Sequence, residues 1–247
     1  MVDLKPIGVI GGMGPQATAY FMERLITLTE TRDDQDHVPL YVDMKPQIPS
    51  RLSYLLDGTG DHPGPVLGQM AKGLEAQGAK ALVMPCNTAH HYAEFMTEAV
   101  DIPLLNMLTL AADAMVKIVG EGGTVGMLAS PATDSAGIFQ TAFDRLGCMS
   151  VDNLGDKLGV NAIYPKDAER VLKVIRQIKA EGPSVDMASE LTHFGQELEA
   201  RGATCLLIGC SEFSIIGSGV ETDLPLRDTV DILARETIRF SGAKLKE

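Results

Sequence analysis

The chain contains no tryptophan, and aromatic residues make up only 5% of its 247 positions. Positive charge is also scarce. Lys and Arg number 21 against 33 Asp and Glu, a formal net charge of −12. Nucleic-acid grooves and anionic membrane surfaces want basic patches, so neither is an expected partner. No apolar run approaches the roughly 20 residues of a membrane helix. Met1 to Ile10 runs directly into an apolar segment and lacks a basic stretch before a long apolar core, so no signal peptide is expected. The four cysteines have no framework spacing. This favours free thiols in a reducing compartment, hence a cytoplasmic protein.

What is present is a repeat. Leu74-Glu75-Ala76-Gln77-Gly78-Ala79-Lys80-Ala81-Leu82-Val83-Met84-Pro85-Cys86 returns as Leu198-Glu199-Ala200-Arg201-Gly202-Ala203-Thr204-Cys205-Leu206-Leu207-Ile208-Gly209-Cys210, with seven of thirteen positions identical at an offset of 124. In each copy a helix ends at a glycine, a short apolar strand follows, and a cysteine closes it. Asn87-Thr88 follows the first thiol and Ser211-Glu212 the second. An earlier echo pairs Ile7-Gly8-Val9-Ile10-Gly11 with Val125-Gly126-Met127-Leu128-Ala129. Its offset is 118, so the second half carries about six extra residues before its cysteine.

Between these markers the chain alternates strands and helices, the pattern of parallel βαβ units. The expected fold class is α/β, with two pseudo-symmetric doubly wound parallel-sheet lobes. Residues 1–105 and 218–247 form the first and 106–217 the second. Strands are expected at Leu40–Met44, Ala81–Met84, Pro103–Met107 and Met149–Asp152. Helices are expected from Pro15, over Val66–Gln77, from Asn87 or Thr88 to Val100, over Ser135–Leu146, and from Asp228 to Phe240. Arg51–Leu56 reads as a short helix and Asp57–Pro65 as a mobile surface loop. Open α/β sheets bind ligands at the carboxyl ends of their strands, so both thiols are expected to face one cleft between the lobes.

Most cysteines in strands are simply small buried hydrophobes, and Cys148 and Cys205 read that way. Cys86 and Cys210 sit after the apolar run, where a helix begins. Unpaired amides there favour thiolate, so a lowered thiol pKa is expected. Two opposed groups that can each gain or lose a proton suit inversion at a carbon: one removes a proton from one face and the other delivers one to the opposite face.

Met84-Pro85-Cys86-Asn87-Thr88-Ala89-His90, Gly11-Gly12-Met13-Gly14-Pro15 and Gly209-Cys210-Ser211-Glu212 resemble the aspartate/glutamate racemase family over essentially the whole chain. The resemblance implies a cofactor-independent amino-acid racemase, needing no PLP and no metal, often a homodimer, acting on a small amino acid. It makes Cys86 and Cys210 the acid/base pair. It places Asn87 and Thr88 at the substrate α-carboxylate and amine, Glu212 in support of the second thiol, and Arg51 at a side-chain carboxylate. A lysine of the second lobe belongs with Arg51, and Lys166 and Lys179 both qualify. Gly12, Met13, Gln16, Ser130, Thr133 and Ser211 complete the expected substrate contacts. Ser211 stands where the family usually has threonine, with the hydroxyl kept.

Four other readings compete. Gly12-Met13-Gly14-Pro15-Gln16-Ala17 fits a dinucleotide-binding loop, but Pro15 removes an amide that would face phosphate and the cysteines are left unexplained. Cys86 with His90 invites a metal, but tight zinc sites want three or four ligands, and a solvent-facing or helix-packing histidine fits better. The same lobes could also serve another cysteine-dependent isomerase or decarboxylase of small carboxylates, or a non-catalytic binder of small acids.

Overall fold

In the computed structural model, which describes residues 3–147 and 159–246, the chain divides into two units. The first comprises Met1–Met107 with Val230–Glu247, the second Leu108–Thr229.

The first unit opens with β1 (Ile7–Gly11), buried at every position. α1 (Pro15–Leu28) follows, with Pro15 in its first turn, where a missing N–H costs nothing. β2 (Leu40–Met44), α2 (Gly64–Ala76), β3 (Ala81–Val83) and α3 (Ala93–Thr97) complete the ascending part. β1 is the centre of a three-stranded parallel sheet of order β2-β1-β3. α2 buries Leu67, Met70, Ala71 and Leu74, the face its 3.6-residue periodicity marks.

The second unit begins along α4 (Met107–Val119), and continues through β4 (Thr124–Leu128), α5 (Pro131–Ser135), α6 (Ile138–Gly147), β5 (Asn161–Ile163), α7 (Ala168–Glu181), α8 (Val185–Ala200), β6 (Cys205–Ile208), α9 (Ser211–Ser214) and β7 (Leu226–Asp228). Its sheet is also parallel, of order β5-β4-β6-β7. α10 (Thr229–Ser241) returns the chain to the first unit. There Asp231 accepts two hydrogen bonds from Arg24 of α1, at 2.6 and 2.9 Å.

The sequence repeat is a structural repeat down to its hydrogen bonds. α2 and α8 both end in a glycine with positive φ, +105° at Gly78 and +94° at Gly202, where a side chain would be strained. Gly78 N–H bonds Glu75 O and Ala79 N–H bonds Leu74 O, at 2.9 and 3.2 Å. Gly202 and Ala203 bond Glu199 and Leu198 in the same way, at 2.9 and 3.1 Å. Each turn then packs on a strand glycine. A Cβ on Gly8 would lie 2.9 Å from Leu82 Cδ2 and 3.0 Å from Leu74 Cβ; on Gly126, 2.7 Å from Leu206 Cδ2 and 3.0 Å from Leu198 Cβ. Since Cβ atoms yield only with the backbone, Gly126→Ala is expected to destabilise by about 1–3 kcal/mol, the usual cost of overpacking. Urea denaturation checks this: the midpoint should fall for both Gly8→Ala and Gly126→Ala.

Several expected elements differ. Residues 226–228 form β7 because they continue the parallel ladder on Leu206–Ile208, so α10 starts at Thr229 and the return to the first unit comes at Val230, later than residue 218. The helix expected over Ser135–Leu146 is α6, which starts at Ile138 because Gly137, with φ +58°, separates it from α5, a helix that was not foreseen. Pro103–Met107 makes one bridge, Leu104 to Leu82, and no longer ladder. The short helix expected over Arg51–Leu56 does form, but it is wound as a π-helix over Ser53–Asp57. α2 starts at Gly64, and His62 before it is packed by the rings of Tyr54, Tyr92 and Phe95. Short β5 was not foreseen. Cys148 and the strand expected over Met149–Asp152 lie outside the described residues.

Candidate active site

Each thiol follows the last residues of a buried parallel strand. Cys86 comes just beyond β3, 7% exposed, in a core cluster with Ile10, Met13, Ile48, Met84, Ala89 and Tyr92. Cys210 comes just beyond β6, 5% exposed, in a cluster with Leu128, Ile208 and Phe213. Strand ends of parallel sheets are where such folds gather functional groups.

The two surroundings differ. After Cys86, the helix expected from Asn87 or Thr88 is a 3-10 turn over Thr88–Tyr92, then α3. Asn87 already has helical backbone angles (φ −58°, ψ −51°), so its side chain makes no capping hydrogen bond. His90 is fully buried. The Met107 backbone N–H donates to its Nε2 at 3.1 Å, so the ring proton is on Nδ1, which donates to the Cys86 carbonyl at 2.9 Å. Burial lowers the His90 pKa to about 4, against a smaller opposing effect of the Cys86 carbonyl. The ring is therefore neutral at physiological pH, with both nitrogens committed within the protein. It packs the helix turn, as one of the readings had it, and offers no lone pair to a metal.

Cys210 has an ionic partner. Its Sγ–H donates to Glu212 Oε2 at 3.2 Å, and Glu212 Oε1 lies 3.2 Å from Lys179 Nζ. Burial raises the Cys210 thiol well above its ordinary range, the Glu212 carboxylate raises it further, and Lys179 opposes them. The lowered pKa expected at this strand end is overturned for Cys210. α9 is only four residues long, and desolvation beside a carboxylate outweighs its terminal amides. Cys210 holds its proton and hands it toward Glu212.

The other expected residues fall into groups. Arg51 follows Ile48, a member of the Cys86 cluster, and its Nη1 donates to the Pro49 carbonyl at 3.0 Å. Arg51 Nε and the Tyr92 hydroxyl are buried and have no hydrogen-bond partner among the described residues. Buried polar atoms without partners are costly, which makes these two candidate contacts for a bound polar group. The charge of Arg51 reaches Tyr92, whose hydroxyl is raised chiefly by burial. Tyr92 was missed by sequence reasoning, because nothing in a tyrosine's position announces an orphaned hydroxyl.

Met13 is buried in the Cys86 cluster, whereas Gln16 is exposed on the first turn of α1. Gly12, at φ +97°, turns against the Lys45 backbone, and its N–H donates to Thr18 Oγ1 at 3.0 Å. This accounts for that glycine without a nucleotide. In the second unit, Ser130 caps α5, accepting from the Ala132 N–H, and Thr133 donates back to the Ser130 carbonyl at 2.6 Å. Ser211 is buried with its hydroxyl unpartnered among the described residues. Lys179 is engaged by Glu212, whereas Lys166 is exposed just before α7, its backbone N–H donating to Glu197. Among the described residues no helix is long and apolar enough to cross a membrane.

Comparison with known proteins agrees with this layout. The family model described as Asp/Glu/Hydantoin racemase matches residues 10–237. The broad specificity amino-acid racemase RacX of Bacillus subtilis (strain 168) is 21% identical over 94% of this chain and 96% of its own. A glutamate racemase of Persephonella marina is 24% identical over 66% of this chain and 58% of its own. Among solved structures, the Picrophilus torridus aspartate racemase superposes with a TM-score of 0.79 at 28% identity, covering 98% of this chain and 96% of that one. A glutamate racemase of Bacillus anthracis, RacE1, shares the fold at 17% identity with a TM-score of 0.64. Two parallel α/β units, each with a buried thiol at a strand end, and a family match over most of the length make this chain an isomerase belonging to the Asp/Glu/Hydantoin racemase family.

Proposed function

We propose that the protein interconverts the L- and D-enantiomers of an acidic amino acid, aspartate or glutamate, without a cofactor. Cys86 and Cys210 act on opposite faces of the α-carbon. For one enantiomer, the Cys86 thiolate takes the α-proton and the Cys210 thiol supplies one to the other face. For the other enantiomer the roles reverse, with Glu212 drawing the proton off Cys210. The observation that carries this reading is the duplication itself: a buried thiol closes each of two equivalent helix–turn–strand repeats, and one of them already donates its proton to a carboxylate. The named relatives, an aspartate racemase and several glutamate racemases, support an acidic substrate.

Arg51 supports it further. Its Nη1 is tied back to the chain while its Nε is buried with no partner among the described residues, so the Nε–H remains for a carboxylate. Asn87, Thr88 and Ser211 supply polar groups beside the two thiols for the α-carboxylate and amine, and Lys166 is the cation assigned to the second carboxylate. The test is chiral chromatography after incubation with each enantiomer of aspartate, glutamate and alanine. Racemisation of an acidic amino acid, with alanine untouched, is the expected result. Arg51→Leu should raise KM for the acidic substrate by about 30-fold or more, since truncating one partner of a buried charge pair costs at least about 2 kcal/mol. Turnover of alanine in preference to both acids would reject the acidic assignment.

A further inference from the structure

The offset of 124 that relates the thiols also relates the residues four positions beyond them, His90 and Ser214. Both are buried, and each bonds the carbonyl of the cysteine four positions before it, His90 with its ring and Ser214 with its backbone N–H. His90 donates from Nδ1 to the Cys86 carbonyl at 2.9 Å and accepts at Nε2 from the Met107 N–H at 3.1 Å. Ser214 donates its own N–H to the Cys210 carbonyl at 3.1 Å. Its hydroxyl has a single proton. Asp228 Oδ1 is 2.8 Å away and the Cys210 carbonyl 3.5 Å, so that proton goes to Asp228.

The far ends of these two links are also equivalent. Met107 is the last residue before the chain leaves the first unit, and Thr229, beside Asp228, is the last before it leaves the second. Thr229 adds a bond of its own, Oγ1 to the Ile208 carbonyl at 3.0 Å, on the strand that leads to Cys210. Each thiol's carbonyl is thus linked through one buried residue to the segment where its unit ends, by the ring alone at His90 and by the backbone N–H together with the hydroxyl at Ser214. Neither side chain is needed to close the helix–turn–strand repeat, which the glycine turns already do.

We infer that His90 and Ser214 are paired positioning residues, each holding one thiol in register with the end of its own unit, so that each governs proton transfer on one face of the substrate. The inference rests on the two-thiol reading above and assigns it two further residues. Loss of His90 detunes Cys86 alone, and loss of the Ser214 hydroxyl detunes Cys210 alone.

Racemisation needs both thiols, so its rate cannot separate them. Elimination can. With a 3-chloro analogue of the substrate (3-chloroaspartate or 3-chloroglutamate), one thiolate takes the α-proton and becomes a thiol. The Cα–H electron pair forms the Cα–Cβ double bond, and chloride leaves with the Cβ–Cl pair. The enamine then tautomerises and takes up water, giving a 2-oxo acid and ammonium. Only one base is used. Chloride release from the D- and L-analogues, measured with Cys86→Ala and Cys210→Ala, assigns each enantiomer to a thiol. His90→Asn is then expected to slow release at least about tenfold for the Cys86 enantiomer and about twofold or less for the other. Ser214→Ala should show the opposite preference, and Ser214→Thr, which keeps the hydroxyl, should restore it. Equal slowing of both enantiomers by both variants, or no slowing by either, would overturn the inference while racemisation by the unaltered enzyme stands. An unaltered enzyme that neither racemises nor eliminates overturns the two-thiol reading and this inference with it.

Discussion

Cys86→Ala and Cys210→Ala are each expected to reduce racemisation by about 10²–10⁴-fold, the usual contribution of a positioned acid or base. Either change alone should nearly suffice, because inversion needs a proton removed on one face and one supplied on the other. Both side chains are buried, so truncation also leaves small cavities, and stability must be measured alongside. The discriminating control is Cys205→Ala. Cys205 is fully buried inside β6, and its thiol is pushed up to about 11 by burial. It should lower the denaturation midpoint while leaving turnover per folded molecule unchanged. The readout is the rate of optical rotation loss, normalised to folded protein.

Glu212→Gln carries the second large effect, and its sign can be worked out. Burial and then the Glu212 carboxylate hold the Cys210 thiol well above its ordinary pKa. A productive enzyme has one thiolate and one thiol, so activity falls on the alkaline side when the second thiol ionises. Cys210 resists ionisation, which places that fall at high pH. Removing the carboxylate charge makes the Cys210 thiolate easier to form. The alkaline limb of kcat/KM should therefore move to lower pH in Glu212→Gln, and the maximum should drop by about 10²-fold as the proton acceptor is lost. Lys179→Met has the opposite sign: Lys179 pulls the thiol down, so its removal moves the limb up. A limb that stays put in both variants would show that Cys210 is not the group behind it.

The parts of this site that could be read from the sequence are those written as repetition. Leu74–Cys86 and Leu198–Cys210 share helix end, glycine turn, strand and thiol, and the same hydrogen bonds recur in both. Glycines marked the turns because a positive φ admits little else. Burial was not legible to the same degree. A lone thiol after a strand looks like a helix-terminus thiolate until its neighbours are known. For Cys210 these are Glu212, two residues away, and Lys179, thirty-one positions upstream. The choice between Lys166 and Lys179 was open for the same reason: both lie on or beside one helix, and only packing says that Lys179 meets Glu212. β7 was hidden because three residues, Leu226-Arg227-Asp228, form a strand only through the ladder β6 offers. His90 and Ser214 share the offset of the thiols, but histidine and serine do not look equivalent until both are seen bonded to the carbonyl of a cysteine.

Two different groups handling the α-proton, one on each face, leave an isotopic signature. Proton NMR of the reduced enzyme in D2O, following one enantiomer of aspartate or glutamate from the first few per cent of turnover, reads that signature. A two-thiol enzyme takes the proton with one sulfur and delivers solvent deuterium from the other. The product enantiomer should then carry deuterium at Cα from the start, while the remaining substrate keeps its α-proton. Deuterium appearing equally in substrate and product at the earliest times would mean that a single base serves both faces, and would rule out the two-thiol mechanism.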